Sequence, residues 1–246
     1  MSARIIVPSY HRAGKTTIRQ VVESAAIAVI ESEADEYRSL EGGEIIVMPE
    51  KVGGNISVTR NWILDYGFEQ SERVVMMDDD VTEFGRFEWN SSRAQYDYLK
   101  YDQSRMLEFI ENGFDMADEA GVKLWGVGVV AAPRAYREYA PFSFLSPVLG
   151  PFTCVSNNGL RYDNRLRLNE DYDYFLQQIQ KYRRVLRFDS HWYRCNHLTM
   201  PGGVTSYRTL DEEYKQAEIM VKKWGPEVVR YNFDKSTNPR IRVPIP

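Results

Sequence analysis

Residues 73–80 read Arg-Val-Val-Met-Met-Asp-Asp-Asp, so a short apolar run passes directly into three adjacent carboxylates. The apolar run predicts a buried strand over residues 74–77. Neighbouring carboxylates repel one another, which raises their pKa values unless a cation or several hydrogen-bond donors hold them. Ligands of open α/β sheets bind at the carboxyl ends of the strands. The stretch therefore predicts a strand with a ligand site at its end, and the alternative is a solvated acidic turn.

Short β-rich runs alternate with helical patterns on both sides of this stretch. Further strands are expected over residues 5–7, 44–48, 123–130, 152–156 and 185–188. Helices are expected near residues 18–29, 57–66, 107–117, 170–179 and 210–224, where apolar residues recur at helical spacing. Residues 83–102 are polar and aromatic with no assigned element, residues 133–151 are expected to be irregular, and the tail from residue 234 is expected to be extended. The alternation is typical of βαβ units and predicts an α/β fold, with a mostly parallel central sheet flanked by helices.

The composition limits the class of protein. The chain has 246 residues, of which 43% are hydrophobic and 27% charged, which fits one globular domain over residues 1–246. No stretch is long and apolar enough to span a membrane, and the start lacks a secretory signal, so we expect a cytoplasmic protein. Cys154 and Cys195 are too few for a disulfide scaffold. The net charge of −4 argues against nucleic-acid binding over the whole surface but leaves room for local basic patches.

Two phosphate-binding interpretations fit the sequence after the first predicted strand. Residues 9–16, Ser-Tyr-His-Arg-Ala-Gly-Lys-Thr, nearly match the P-loop pattern GxxxxGK[ST]. However, Ser9 replaces the first glycine of that pattern, and Pro8 and Tyr10 do not suit a backbone that must wrap a phosphate. A P-loop nucleotide phosphotransferase is therefore the weaker interpretation.

The stronger interpretation is a resemblance carried by several motifs in order. Residues 8–12, Pro-Ser-Tyr-His-Arg, resemble the Pro-x-Tyr-x-Arg segment of the first strand in GT-A glycosyltransferases. Residues 55–61 resemble the Ser-x-x-Arg-Asn helix start of that family, and residues 78–80 resemble its DxD motif. Residues 169–171, Asn-Glu-Asp, resemble its acidic motif at a later helix start. The resemblance spans about residues 4–205 and implies the GT-A fold, which is the Rossmann-like fold of nucleotide-diphospho-sugar transferases.

The resemblance also implies roles for individual residues. The nucleotide-sugar donor, a UDP-sugar by implication, would be bound by Pro8, Ser9, Tyr10, Arg12, Glu50, Arg60, Asn61, Asp78 and Asp79. A divalent metal ion, Mn²⁺ or Mg²⁺, would be held by Asp80, Asp78 and His197. Glu170 and Asp171 are the implied catalytic pair, with Asp171 as general base towards the acceptor. Residues 1–82 would form the nucleotide-sugar-binding half, residues 83–205 the acceptor and catalytic half, and residues 206–246 a C-terminal helix and basic tail.

Within this broad family, the run at residues 73–80 is similar to the TET-associated glycosyltransferases of bacteriophages. That resemblance implies transfer of a sugar to 5-hydroxymethylcytosine in DNA, in the host cytoplasm if the protein is phage-encoded. The expected acceptor contacts are Trp125, Arg165 and Arg167, although Trp125 also fits a core position. The basic clusters at residues 161–167 and 181–187, with Arg240 and Arg242, would contact phosphates. Saccharide, lipid-linked and protein acceptors stay open, as does a degenerate GT-A fold that binds without turnover.

Overall fold

The structure is a computed structural model that describes residues 2–129, 131–196, 203 and 207–243. The strands of this part are β1 (Arg4–Pro8), β2 (Ala26–Ile30), β3 (Ile45–Met48), β4 (Arg73–Met77), β5 (Val81–Asn90), β6 (Gln95–Lys100), β7 (Leu124–Val127), β8 (Phe142–Ser143), β9 (Phe152–Ser156), β10 (Leu186–Phe188), β11 (His191–Cys195), β12 (Val229–Asn232) and β13 (Ser236–Ile241). The α-helices are α1 (Ala34–Leu40), α2 (Ile56–Phe68), α3 (Gln103–Glu119), α4 (Glu170–Tyr182) and α5 (Leu210–Trp224). Short 3₁₀-helices occupy Ile18–Gln20, Glu31–Glu33, Glu50–Val52 and Pro133–Ala135. Within the described ranges, no helix has both the length and the apolar character that a membrane crossing requires.

An eight-stranded sheet forms the centre of the protein, in the order β3-β2-β1-β4-β9-β7-β10-β8. The strands β3, β2, β1 and β4 are parallel, and β7 and β10 are parallel to each other. β9 is antiparallel to both of its neighbours, and β8 is an antiparallel edge strand. The predicted α/β fold with a mostly parallel sheet flanked by helices is thus confirmed. Because Ile6 of β1 lies opposite Met76 of β4, the residues that follow these two strands meet at one edge of the sheet.

Helices and a second sheet bury both faces of this central sheet. In β1, Ile5 packs into the same core cluster as Phe114 of α3. The next residue, Ile6, packs on the opposite face with Ile63 of α2 and Phe175 of α4. Strands that are buried on both faces read as continuous apolar runs without polar alternation.

Residues 18–29 do not form the predicted helix. The segment begins with a 3₁₀-helix at Ile18–Gln20 and ends in β2, which lies between β1 and β3. All five residues of β2 are buried, so the apolar residues of this strand show no alternation and can be mistaken for one face of a helix. The backbone N–H and C=O groups of β2 form hydrogen bonds with the two neighbouring strands and not within a helix.

Residues 83–102, for which the sequence assigned no element, form most of a second sheet in the order β11-β5-β6. Aromatic side chains face each other across its strands, with Phe87 opposite Tyr98 and Trp89 opposite Tyr96. Such cross-strand pairs stabilise antiparallel sheets. The alternation of aromatic and charged residues in β5 is the strand signal of this stretch.

The other predicted elements are present within a few residues of their expected bounds. Polar side chains cap the starts of α2, α3 and α5: Asn55 accepts the backbone N–H of Ser57 at 3.1 Å, Asp102 that of Arg105 at 2.9 Å, and Thr209 that of Glu212 at 3.2 Å. Asn169 precedes α4 as expected, although its side chain makes no capping hydrogen bond. The extended tail pairs with β12 as β13.

The packing of α3 against β7 gives a test of this fold. A Cβ atom added to Gly113 would lie 2.3 Å from the ring of Trp125, which is fully buried. We expect Gly113→Val to lower the free energy of unfolding by about 1–3 kcal/mol, the usual cost of overpacking a core, as measured by urea denaturation. Asn112→Val is the control because it places the same side chain at an exposed position of α3. Equal stability of the two variants would contradict the packing.

Candidate functional site

A cavity opens at the carboxyl ends of β1 and β4, beside the first turns of α2 and α4. This is the edge at which ligands bind in open α/β sheets. The predicted site residues that line it are Pro8, Ser9, Tyr10, Arg12, Arg60, Asp78, Asp79, Asp80, Arg167, Glu170 and Asp171. The fold therefore brings together residues from four separate motifs.

Asp79 is the most enclosed of the three aspartates and is held by the loop that follows β1. Its carboxylate accepts a hydrogen bond from the Arg12 guanidinium at 2.5 Å and another from the Ser9 hydroxyl. The Tyr37 hydroxyl lies 2.7 Å from the Ser9 oxygen and accepts the backbone N–H of Arg12 at 3.0 Å. Both carboxylate oxygens of Asp79 thus have partners within the fold. The network fixes the loop after β1 against the end of β4.

Asp80 and Asp78 present carboxylate oxygens to the cavity. Asp80 is buried and its Oδ1 atom has no hydrogen-bond partner among the described residues. Burial, reinforced by the charges of Asp78 and Asp79, raises the pKa of Asp80 to about 7. An unpartnered carboxylate oxygen beside a second, partly exposed carboxylate fits a hard divalent cation such as Mn²⁺ or Mg²⁺.

The described residues supply only part of a metal-binding set. Within the described ranges, no group of three or more carboxylate, histidine or cysteine side chains converges on one point where an ion could bind. The third predicted ligand, His197, lies outside the described residues. The metal site therefore stays a prediction that rests on Asp78 and Asp80.

Arg60 links the aspartates to α4. Its Nη2 atom lies 3.4 Å from Oδ1 of Asp78, and its Nη1 atom lies 3.2 Å from Oε1 of Glu170. Burial by itself lowers the pKa of Arg60, but the charge of Glu170, followed by that of other neighbours, more than offsets this, so the net pKa is raised. The buried guanidinium therefore stays cationic between two acidic motifs.

Glu170 and Asp171 begin α4 and differ in their surroundings. Glu170 is buried against Arg60, whereas Asp171 is only partly buried. The Asp171 carboxylate accepts the backbone N–H groups of Gly150 at 3.1 Å and Tyr172 at 2.8 Å, which fix its orientation at the cavity wall. Burial raises the pKa of both carboxyl groups. Of the two, Asp171 is the better placed to act on a ligand in the cavity.

The first turn of α2 places partial positive charge at the wall of the cavity. Gly53, Gly54, Asn55 and Ile56 line it, and the Asn55 side chain accepts the backbone N–H of Ser57 at 3.1 Å as the helix cap. Gly54 has a φ of +74°, a conformation that glycine adopts without strain. Helix N-termini carry partial positive charge and unsatisfied N–H groups, which suit a phosphate.

The sequence did not point to the aromatic residues that complete the site. The Arg167 guanidinium lies 4.0 Å above the Tyr207 ring and donates to the Gly54 carbonyl at 2.9 Å, and both side chains line the cavity. The sequence also did not predict a role for Tyr37, whose hydroxyl contacts Ser9 and Arg12 in the Asp79 network. Neither tyrosine lies in a motif, and only long-range packing brings them to the site.

Trp125 and Arg165, two of the predicted acceptor contacts, do not line the cavity. Trp125 is fully buried in the core beside Phe109 and Phe114, so it is a core residue and not an acceptor contact. Arg165 is exposed and pairs with Asp163 at 2.6 Å.

Asn61 and Glu50 also point away from the cavity lining. The Asn61 amide donates to the Tyr162 carbonyl and to Asn164, both at 2.9 Å. Glu50 follows β3 within a 3₁₀-helix and accepts the backbone N–H and hydroxyl of Ser32 at 3.1 and 2.9 Å. Neither residue is among those that line this cavity.

The P-loop interpretation is wrong. A P-loop joins a strand to an α-helix whose N-terminus holds the phosphates. After β1 the chain instead enters a three-residue 3₁₀-helix, Ile18–Gln20, and continues into β2. Lys15, the residue that would contact the phosphates, is exposed and does not line the cavity.

The fold and the cavity define an α/β protein whose ligand site combines carboxylates with buried arginines at the carboxyl edge of its sheet. The model of the TET-Associated Glycosyltransferase family matches residues 5–203, and the chain belongs to that family. It is therefore a glycosyltransferase, and that activity implies a nucleotide-sugar donor. The match confirms the resemblance predicted from residues 73–80.

Other comparisons give distant similarities. No curated protein matches the chain. The crystal structure of A197 from STIV is similar with a TM-score of 0.41 and 10% identity, over 79% of this chain and 85% of that one. The structure of CMP:2-keto-3-deoxy-manno-octonic acid synthetase complexed with CTP is similar with a TM-score of 0.39 and 9% identity, over 91% of this chain and 100% of that one.

The buried pair of Arg60 and Glu170 can be tested by comparing a single variant with a double variant. Arg60→Met leaves Glu170 buried without its cation, so the free energy of unfolding should fall by about 3–5 kcal/mol in chemical denaturation. The double variant Arg60→Met/Glu170→Met removes both charges and should regain most of that loss. A double variant no more stable than Arg60→Met would contradict the pairing.

Proposed function

We propose that the cavity is the active site of a metal-dependent glycosyltransferase of the GT-A type, which transfers a sugar from a UDP-sugar to the hydroxyl of 5-hydroxymethylcytosine in DNA. The observation that carries this proposal is the convergence of the Asp78–Asp80 carboxylates, the Arg12 and Arg60 guanidinium groups and Asp171 in one cavity. Membership of the TET-associated glycosyltransferase family supports the reaction class. The division of the chain into donor and acceptor halves stays part of the proposal.

The donor diphosphate would lie between the first turn of α2 and the ends of β1 and β4. Arg12 and Arg60 provide positive charge at this position, and α2 adds its partly positive N-terminus. Asp80 and Asp78 would hold the divalent cation, with His197 as the further ligand that the family resemblance implies. Such a cation would supply positive charge to stabilise the leaving nucleoside diphosphate.

Asp171 is the proposed general base. In the reaction, the acceptor hydroxyl oxygen forms a bond to the anomeric carbon of the sugar, and the bond from that carbon to the diphosphate oxygen breaks. The hydroxyl proton passes to the Asp171 carboxylate. The hydrogen bonds from Gly150 and Tyr172 hold this carboxylate in place, and burial raises its pKa, which strengthens it as a base. Glu170 instead orients Arg60.

A thermal-shift experiment tests the donor and the metal. UDP with Mn²⁺ at about 100 times its Kd should add about 2.7 kcal/mol of stability, which is a rise in Tm of about 5–10 °C. Chelation of the metal should abolish the shift, and Asp80→Ala should lose it because that variant lacks the carboxylate with the unpartnered oxygen. ATP with Mg²⁺ should have little effect. Stabilisation by ATP alone, or a UDP shift that survives chelation, would count against the proposed donor site.

Mass spectrometry of hydroxymethylated DNA tests the whole reaction. Incubation with a mixture of nucleotide sugars should add the mass of one sugar to each modified base. Asp171→Asn should reduce the rate by at least about 100-fold, because it removes the proton acceptor. Asp115→Asn, which changes an exposed carboxylate on α3, is the matched control and should keep the wild-type rate. Transfer to a saccharide with none to DNA would overturn the proposed acceptor, and full activity of Asp171→Asn would overturn the proposed base.

A further inference from the structure

The outer side of the second sheet carries a cluster of rings, which we name the aromatic face: Phe87, Trp89, Tyr96, Tyr98 and Trp192. Phe87 and Trp192 are buried beneath the others, whereas Trp89 is 54% exposed and Tyr98 is 40% exposed. Exposed aromatic side chains in a contiguous patch are typical of surfaces that bind a partner.

Segment 131–138 packs over the aromatic face along β6, and its Tyr136 ring stacks on Phe87 with ring centres 5.3 Å apart and meets Tyr96 edge-on at 4.8 Å. The Tyr98 hydroxyl donates to the Ala131 carbonyl at 2.6 Å, and the Tyr96 hydroxyl donates to the Glu138 carboxylate at 2.8 Å. Both hydroxyls are thus engaged within the fold, which restricts the orientation of the two rings. Ring surface held in one orientation suits stacking.

β5, which carries part of the aromatic face, continues directly from the proposed active site. β5 starts at Val81, directly after Asp80, and the backbone N–H of Asn196, which follows β11, donates to the Asp80 carbonyl at 3.0 Å. Phe87, which is opposite Tyr98, lies seven residues beyond Asp80, and Trp89 lies nine residues beyond it, distances of roughly 23 and 30 Å in an extended strand. A polymer that places one unit in the cavity can therefore reach the exposed rings with units further along its chain.

Cations border the exposed rings. The Arg194 guanidinium lies 4.5 Å from the centre of the Tyr98 ring and 5.3 Å from that of Trp192. Glu83 pairs with both Lys100 at 3.4 Å and Arg194 at 2.7 Å, so two cations share one carboxylate. The cations on or beside the face are Arg93, Lys100, Arg134, Arg137 and Arg194, and the acids are Glu83, Asp97 and Glu138. The local charge is positive although the whole chain carries −4.

We infer that the aromatic face binds the DNA strand that carries the acceptor base. Trp89 and Tyr98 stack on bases several nucleotides away from the modified base, and Arg194 and Lys100 contact phosphates between them and the cavity. The modified base itself leaves the stack to reach the cavity, as a base must when chemistry occurs on it. This inference rests on the proposed function. A neutral saccharide also stacks on aromatic rings, but the bordering cations favour a polyanion.

The test is the affinity for a fluorescein-labelled single-stranded oligonucleotide with one 5-hydroxymethylcytosine, measured by fluorescence anisotropy without donor. Trp89→Ala should raise the Kd by about tenfold, the usual effect of losing one stacking ring. Arg194→Gln should weaken binding and make the slope of log Kd against log salt shallower by about one, because one phosphate contact is lost. Tyr214→Ala, at a ring of α5 that is 46% exposed, is the matched control and should bind like the wild type.

The UDP and Mn²⁺ thermal shift, measured on the same samples, separates this inference from the proposed function. If Trp89→Ala and Arg194→Gln both show a normal thermal shift and unchanged affinity for the oligonucleotide, the proposed DNA binding by the aromatic face is wrong. The proposed donor site is then unaffected. Wild-type protein that does not bind the oligonucleotide would overturn DNA as the partner of this face. An absent shift in wild type, with affinity lost in Trp89→Ala, would refute the donor site and support the face.

Discussion

Two buried arginines, Arg12 and Arg60, compensate the negative charge of the carboxylates in the cavity, and the arrangement of the site depends on these ion pairs. Arg12 pairs with Asp79 at 2.5 Å, and Arg60 lies 3.4 Å from Asp78 and 3.2 Å from Glu170. Carboxylates removed from water are strongly destabilising unless a cation compensates them. Because Arg12 follows β1, Arg60 belongs to α2 and Glu170 begins α4, this compensation holds three elements against the carboxyl end of β4.

The same constraint separates the three aspartates by role. Asp79 has partners for both oxygens within the fold, from Ser9 and Arg12, so it contributes to the structure of the loop after β1. Asp80 keeps an oxygen without a partner among the described residues, and Asp78 is the most exposed of the three. The outer two carboxylates are thus the ones that a ligand can use. The sequence cannot show which of three identical aspartates is structural and which can bind a ligand, because the packing around each side chain determines its role.

The sequence predicted those parts of the structure whose signals are local. The strand before Asp78 and the helices α2, α4 and α5 were predicted because apolar spacing and flanking polar residues mark them. β2 was not, because burial on both faces removes the alternation that identifies a strand. The motifs identified most of the residues that line the cavity, but only tertiary packing brings Tyr207 to the lining and Tyr37 to the Asp79 network behind it. Trp125 was misplaced because an aromatic residue near a strand end gives no sign of which face is the core.

Net charge describes this protein poorly, because many of its charges are paired. Arg161 and Arg165 form a basic cluster in the sequence, but Asp65 and Asp163 pair with them at 2.6 Å each, which weakens the case for phosphate contacts there. The electrostatic potential that a polyanion experiences near the surface depends mainly on cations that are not fully paired with acidic side chains. Salt further screens the charges of exposed ion pairs. Arg194 and Lys100 share one carboxylate beside exposed rings, close to the proposed active site. An acidic chain can therefore present a local surface suited to DNA, and stacking would supply affinity that charge alone does not.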